Sequence, residues 1–498
     1  MKKLKILFCT SPYHSFNLAD HKVYVTEPLQ FEVLASLTDR EKFEVELIDL
    51  RLERHSTAFA NKIKQYQPDI IGFSAWTMHV SAVKSLAKVA KAFNSNIKII
   101  VGGHHTQIAP SDFALPEIDF VLMSEAYPSY QQLLEGIYAG TSDFSSISGI
   151  AFQRHGEFYS NGQGVVTRDY DLDSLPIPDR TIIEKYKKQY YHLWWKPIAS
   201  IRTAMGCPSK CSFCNLWKVN KGKYLQWSSD YVVEYLKSIE QQYVIFVDDH
   251  MFGDTDRAYE IGEKILKANL GKQYCIYSRS DAIVKEPELV ELWAKAGLKR
   301  VRMGLEGFSD SFLADLDKQN SIEKNDSAIK ILKKNQVLTE GLFLIGLDFK
   351  ENEFQQLGDY ILSRKIEVPN ITVQTPMPGT IDFQRNKDKI LYFDSHFYDF
   401  QHAVQETALD IKQYCKLYSS LMLRVQRPPT EQLRTIGLKS FLTRMPYFWA
   451  YFYSLRNSYK HYPHHQNSKV MPQGAQAILP WNETKRIVNL ESKRAMFL

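Results

Sequence analysis

Cys207, Cys211 and Cys214 fall within eight positions as CxxxCxxC, directly after the β-rich run IASIRTA at 198. Three thiolates, not four, is the informative number. Closed structural zinc sites take four ligands, whereas three cysteines on a tight loop hold three corners of a four-iron cluster and leave the fourth iron open to a ligand. Zinc with a distant fourth ligand, such as His250 or Cys275, is the rival arrangement. Cys9, Cys275 and Cys415 otherwise read as isolated core thiols, and six cysteines used this way suit a reducing cytosol rather than a disulfide frame.

A reactive loop needs a scaffold, and the pattern around it supplies one. From 198 onward, β-rich runs at IASIRTA, YVIFVD (243), YCIYSRSD (274), KRVRMGLE (299), GLFLIGL (341) and NITVQTP (370) alternate with helical stretches. One of these helices, EPELVELWAKA at 286–296, opens on Pro287 and is stopped by Gly297. Six strand–helix units make a partial (β/α)6 barrel whose chemistry sits at the strand C-termini. The first 140 residues alternate likewise, with strands at KILFC (5), EVELIDL (44), DIIGFSA (69), KIIVGG (98) and DFVLMSE (119). The opening MKKLKILFC is the first of these strands rather than a signal segment. Over 79–93, Val83, Leu86, Ala87, Ala90 and Phe93 share one helix face. This is a doubly wound, Rossmann-like sheet, with ligands expected outside the strand ends after Cys9, Ser74, Gly103 and Glu125.

Length and charge fit that picture. The 498 residues predict roughly three domains, 44% apolar and 24% charged residues exclude disordered and fibrous classes, and a net charge of +6 is too weak to argue for nucleic acid. The expected division is 1–145 for the doubly wound unit and 146–190 for a connecting segment that includes the extended RDYDLDSLPIPDR. The partial barrel then takes 191–385 and a mainly helical region 386–498. Residues 381–498 carry 17 Lys/Arg against 9 Asp/Glu, and Phe441, Tyr447, Phe448, Trp449, Tyr451, Phe452 and Tyr453 interleave with basic residues. That mixture fits a helix packed on the barrel, a peripheral membrane face, or single-stranded RNA contact, which the low overall charge disfavours. No apolar run is long enough to span a bilayer, so a cytoplasmic protein, peripheral at most, is expected.

The triple-cysteine loop after the first strand of a partial barrel resembles the radical S-adenosylmethionine (SAM) superfamily. The resemblance implies that the open iron chelates SAM, that Phe213 lies by the adenine, and that Asp249, Ser278, Arg279, Glu306 and Pro376 of the TPMPGT run are SAM contacts. Asp248 and Asp281 share those strand ends, where carboxylates also serve as helix caps or salt-bridge partners. The PDIIGFSAWT, IIVGGHH and DFVLMSE runs, the PIPDR segment and YDFQHAVQETAL at 398 narrow the likeness to the cobalamin (B12)-binding branch. That branch includes hopanoid methylases, bacteriochlorophyll methylases and the anaerobic magnesium-porphyrin cyclase. It implies a cobalamin site at Ser74, Trp76, Thr77, Gly102, Gly103, His104 and Glu125, with Trp76 a candidate to cover the lower face of cobalt. No DxHxxG motif is present within 1–145, and the acidic GEGE usual at the fifth strand is SEAY here, at 124–127. The activity implied is C-methylation of an unactivated carbon through a 5'-deoxyadenosyl radical and methylcobalamin. A second SAM restores the methyl group, and a flavodoxin- or ferredoxin-type donor supplies the electron. The alternative is oxidative cyclisation or rearrangement without methyl transfer. The expected substrate is a hydrophobic small molecule such as a polycyclic lipid or a tetrapyrrole.

Overall fold

In the computed structural model, residues 2–12, 24–53, 55–125, 127–162, 170–426, 449, 451–462 and 488–489 are described. The first sheet has eight strands, seven of them β1 Leu4–Thr10, β2 Phe43–Asp49, β3 Ile70–Ser74, β4 Lys98–Gly102, β5 Phe120–Leu122, β6 Ile150–Arg154 and β7 Glu157–Ser160. The first five are parallel in the order β2-β1-β3-β4-β5, and β6 and β7 add antiparallel, with a short Val488–Asn489 strand outside β7. Connections leave β1 toward β2 and then return past it to β3, so the winding reverses between β1 and β3. That reversal opens a crevice at the strand C-termini.

The β6–β7 hairpin lies inside what the sequence suggested was a connecting segment. His155 (φ +51) and Gly156 (φ +77) are both left-handed, as a two-residue turn that follows the strand twist requires. Beyond it, Asp171 and Asp179 cap short 3-10 turns, and Arg180 reaches the Ser200 carbonyl at 2.5 Å. Glu27 accepts from the Ser200 backbone amide at 2.7 Å beside the same guanidinium. The PIPDR stretch therefore clasps the two sheets together.

The second sheet is parallel and sequential: β8 Ile198–Ile201, β9 Tyr243–Phe246, β10 Gln273–Ser278, β11 Leu298–Glu306, β12 Leu338–Ile345 and β13 Val368–Val373. Its outward residues, among them Val244, Phe246, Ile276, Val301, Met303 and Phe343, join the helices in one core around the fully buried Trp293. Pro287 opens the helix Pro287–Ala296, and Gly297 ends it at φ +117, where a Cβ would lie 2.4 Å from the Lys272 carbonyl oxygen. In the helix Val80–Phe93, the inward stripe is Val80, Val83, Ala87 and Ala90. Leu86 is half-buried and Phe93 turned outward, because these two, seven residues apart, flank the stripe rather than form it.

In the C-terminal region, the helix Ile411–Arg424 packs Tyr414, Tyr418 and Leu421 onto the barrel. Tyr451, Phe452 and Leu455 join the same core, while Trp449 (57% exposed) and Tyr453 (69%) face outward. Phe441, Tyr447 and Phe448 lie outside the described residues. Among the described residues, no helix is long and apolar enough to cross a membrane.

Candidate active site

The cysteine loop is fastened at both flanks. It leaves β8 through Ala204–Met205, which pair antiparallel with Leu225–Gln226. Asp248, at the end of β9, accepts from the backbone amides of Thr203 (2.5 Å) and Ala204 (3.0 Å) and from the Thr203 hydroxyl. Its neighbour Asp249 accepts from the Gly206 amide at 2.8 Å. Gly206 has φ +97, and a Cβ there would lie 2.1 Å from the Lys223 carbonyl oxygen, so only glycine admits this turn into Cys207. Farther on, Ser212 N donates to Leu316 O at 3.1 Å and Ser212 O accepts from Asp382 N at 3.1 Å, fixing the segment between Cys211 and Cys214.

Around that loop stands a charged cluster. Lys318 Nζ is 2.6 Å from Glu306 Oε1, both groups are buried, and the same ammonium lies 5.9 Å from the Phe213 ring centroid. Burial opposes the Lys318 cation, but Glu306 outweighs it and holds the ammonium above its ordinary value. Glu306 has φ +63 beside a register shift between Gly304 and Glu306, a strained non-glycine backbone of the kind concentrated at functional sites. Arg279 is gripped by Asp281 (2.9 and 3.0 Å), donates to Lys318 O at 3.2 Å, and is close enough to feel Cys211 and Cys207. Ser278 ends β10 with its hydroxyl toward the Arg279 carbonyl (3.4 Å), and Pro376 is buried in the loop after β13.

Burial pushes the Cys214 thiol up to about 12 and raises Cys211 as well, with Lys318 and Arg279 opposing the rise at Cys211. Metal ligation must therefore displace protons, which those two cations favour. Among the described residues no three His, Cys, Asp or Glu groups stand at the spacing that holds a single metal ion. The donor set is still that of a three-thiolate cluster: three cysteines on one pinned loop, with Cys275 buried inside β10 and its thiol pushed up to about 12.

Buried His250 carries an Nδ1 without a hydrogen-bond partner, and burial lowers its imidazole to about 4. Since the unfolded chain protonates this ring near 6.5, the folded state loses stability as pH falls from about 6.5 toward 4, by about 3 kcal/mol in all. Thermal midpoints across that range should show a shallower acid slope in His250→Gln than in the parent, and equal slopes would contradict the assignment.

The first sheet's edge faces this loop. A cavity of about 380 Å³ runs from an apolar slot on the sheet, with Ile6, Phe8, Ile100 and Leu122, past Ser74, Gly102, Gly103, His104 and Glu125 to Arg202 and Asp249. Gly103 (φ +108) could carry no Cβ, which would lie 2.7 Å from Ala75 N. Trp76, half exposed, stacks on His104 at 4.8 Å. This glycine-lined edge over an apolar slot suits a large, flat, mostly apolar cofactor. Thr77 stands apart from it: the side chain is buried and pairs with His105 (3.1 Å), which pairs in turn with Asp112 (2.8 Å).

The motifs did not single out three polar residues of the site, of which Arg202 and Asn215 join the two halves. Arg202 forms an ion pair with Glu125 at 3.1 Å. Asn215, next to Cys214, takes His104 Nε2 at 2.7 Å and donates to the Pro378 carbonyl at 3.2 Å. Lys318 is the third. Only Asn215 carries a sequence signal, its place beside the last cysteine; the others depend on partners 12 and 77 residues away.

A model described as B12 binding domain matches residues 18–134, and one described as radical SAM superfamily matches residues 201–361. Hopanoid C-3 methylase of Methylococcus capsulatus is 28% identical over 413 residues, 82% of this chain and 78% of that protein. Anaerobic magnesium-protoporphyrin IX monomethyl ester cyclase of Rubrivivax gelatinosus is 30% identical over 354 residues, 68% of this chain and 62% of that protein. The solved structure of the radical SAM methyltransferase TsrM from Kitasatospora setae, with cobalamin and a 4Fe-4S cluster bound, shares the fold at a TM-score of 0.63. It does so at 16% identity over 78% of each chain. Both matched regions fall on the sheets that meet at this junction, and the chain is accordingly a B12-binding radical SAM enzyme, related to hopanoid C-3 methylase and the magnesium-protoporphyrin cyclases, whose cofactors are a 4Fe-4S cluster, SAM and cobalamin.

Proposed function

We propose that the chain is a C-methyltransferase, acting on an unactivated carbon of an apolar small molecule of the polycyclic-lipid or tetrapyrrole kind. The observation that carries this reading is the shared wall. The glycine-lined edge of the first sheet and the pinned cysteine loop meet through His104–Asn215 and Glu125–Arg202, contacts that support a methyl-carrying face opposite a radical-generating one. In this reading the bound cofactors supply a carbon-centred radical from SAM and a methyl group carried on cobalt. Cys207, Cys211 and Cys214 hold the cluster. Phe213, Asp249, Ser278, Arg279, Glu306 and Pro376 hold SAM, with Lys318 beside them. Ser74, Trp76, Gly102, Gly103, His104 and Glu125 hold cobalamin, and Thr77 supports that edge through His105. The Arg202–Glu125 pair spans the junction, where it would help bound cofactors exclude water. In this reading the first unit takes the β6–β7 hairpin from the connecting segment, with 191–385 proposed for the barrel and 386–498 for the C-terminal region.

Similarity to the cyclase favours a second reading, radical oxidation or cyclisation without methyl transfer. SAM labelled in its methyl group separates the two when the reconstituted enzyme is given a reductant and polycyclic-lipid or tetrapyrrole candidates. Labelled product formed together with 5'-deoxyadenosine and S-adenosylhomocysteine supports methylation. Deoxyadenosine with product but no label would replace it by the cyclase-type reading. We further propose a cytoplasmic location, a flavodoxin- or ferredoxin-type electron donor, and peripheral membrane contact through the outward Trp449 and Tyr453. Co-sedimentation with anionic vesicles at low and moderate salt tests the last point, and absence of binding at both removes it.

A further inference from the structure

The barrel lumen below the cysteine loop holds charges that the reaction so far described does not use. Along β10 to β12 the outward side chains are sealed, with Ile276, Val301, Met303, Phe343 and Ile345 at most 1% exposed. Inward-facing Tyr277, Arg302, Leu342 and Leu344 are less completely buried than these, with the Arg302 side chain 11% exposed. Tyr277, Arg302 and Glu340 stand side by side in register across three strands. Arg302 Nε is 2.9 Å from Glu340 Oε1, and its Nη1 donates to the Tyr277 hydroxyl.

Two residues earlier on the same strand, Arg300 is fully buried against Trp195, 3.8 Å from the ring centroid, and none of its three guanidinium nitrogens has a hydrogen-bond partner. Its nearest acid is the same Glu340, at 4.0 Å. His192 lies 3.4 Å from Glu340, where burial lowers its imidazole against the pull of that carboxylate, while Arg302, His192 and Arg300 hold the Glu340 carboxyl down to about 2 in spite of burial. Two guanidinium groups thus face one carboxylate among the described residues. A buried surplus cation is costly unless an anion answers it.

We propose that this lumen binds a carboxylate of the substrate, docked on the reachable edge of Arg302 beside Tyr277, with Arg300 balancing Glu340 behind it. A guanidinium fork matches a carboxylate in shape as well as charge. Glu306 lies four residues farther along the same strand, about 13 Å at strand rise, so the substrate is an elongated apolar acid with its reacting carbon at the far end from its carboxylate. The proposal rests on the lumen being the reaction chamber and narrows the substrate class.

The test uses the full chain reconstituted with iron, sulfide and cobalamin, and compares equilibrium binding of 4-phenylbutyrate with that of 4-phenylbutanol. The acid is expected to bind at one per chain and about tenfold tighter than the alcohol, a preference lost in Arg300→Met with no fall in thermal midpoint, since Arg302–Glu340 remains paired. Equal binding of acid and alcohol, or an acid preference unchanged in Arg300→Met, overturns it. Should Arg300→Met fail to fold, Arg302→Lys keeps the charge but removes the fork, and is expected to weaken the acid preference; an unchanged preference there overturns the proposal too. Binding is read without any methyl label, so failure of methyl transfer leaves this site standing, and failure here leaves methyl transfer untouched.

Discussion

Cys211→Ala is expected to leave anaerobically reconstituted protein with iron at background and no SAM cleavage, while its cobalamin content stays that of the parent. Two thiolates cannot hold three corners of a cluster, and no other cysteine can step in. Cys9, Cys275 and Cys415 are buried in separate parts of the core with thiols raised by burial. Nor can the loop slide to compensate, because Ser212 is tied through its amide to Leu316 and through its carbonyl to Asp382. Removing one sulfur from a side chain 6% exposed costs only about 1 kcal/mol of burial, so the variant should fold. Iron and sulfide content, 5'-deoxyadenosine formation and bound cobalamin are measured together. A full iron complement with undiminished deoxyadenosine would contradict the ligand assignment, whereas joint loss of iron and cobalamin would mean that the substitution damages the fold.

Much of the scaffold was legible because parallel strands buried on both faces leave continuous apolar runs, and all eleven expected strands appear within a few residues of their places. The β6–β7 hairpin escaped because its strands are short and half polar, although the turn at His155–Gly156 was a usable signal. The resemblance chose Asp249 over Asp248, and the fold supplies the physical reason for separating them. Successive residues after a strand point opposite ways, so one is spent on the Thr203 and Ala204 amides while the other meets the cavity. Ser74 and Thr77 divide similarly, the first on the cavity and the second turned in to His105. Lys318, Arg202 and the lumen arginines were invisible for another reason: their meaning lies in partners brought close only by the barrel.

Gly103→Val should do the reverse of the cysteine change, lowering cobalamin retention while leaving iron in place. Valine at φ +108 is a backbone outlier, and its Cβ would lie 2.7 Å from Ala75 N, 2.8 Å from Ala75 O and 2.9 Å from Ser74 Oγ. Ala75 cannot retreat, because its amide donates to Gly102 O at 2.8 Å and its carbonyl accepts from His105 N at 2.9 Å. The strain, about 1–3 kcal/mol, is relieved by moving the 103–105 turn, and with it His104, away from the cavity and from Asn215. If that strain falls on the bound state, cobalamin affinity drops about tenfold to a hundredfold, as 1.4 kcal/mol is one decade. The cluster loop has its own anchors in Asp248 and Asp249, so iron should hold. Gly140→Val is the matched control, with φ +70 but nothing within 4 Å of its Cβ, at a helix end outside the cavity lining. It carries the backbone strain without the clash, so equal cobalamin loss in both variants would assign the effect to general instability. Unchanged cobalamin affinity in Gly103→Val would remove this edge from the cobalamin site.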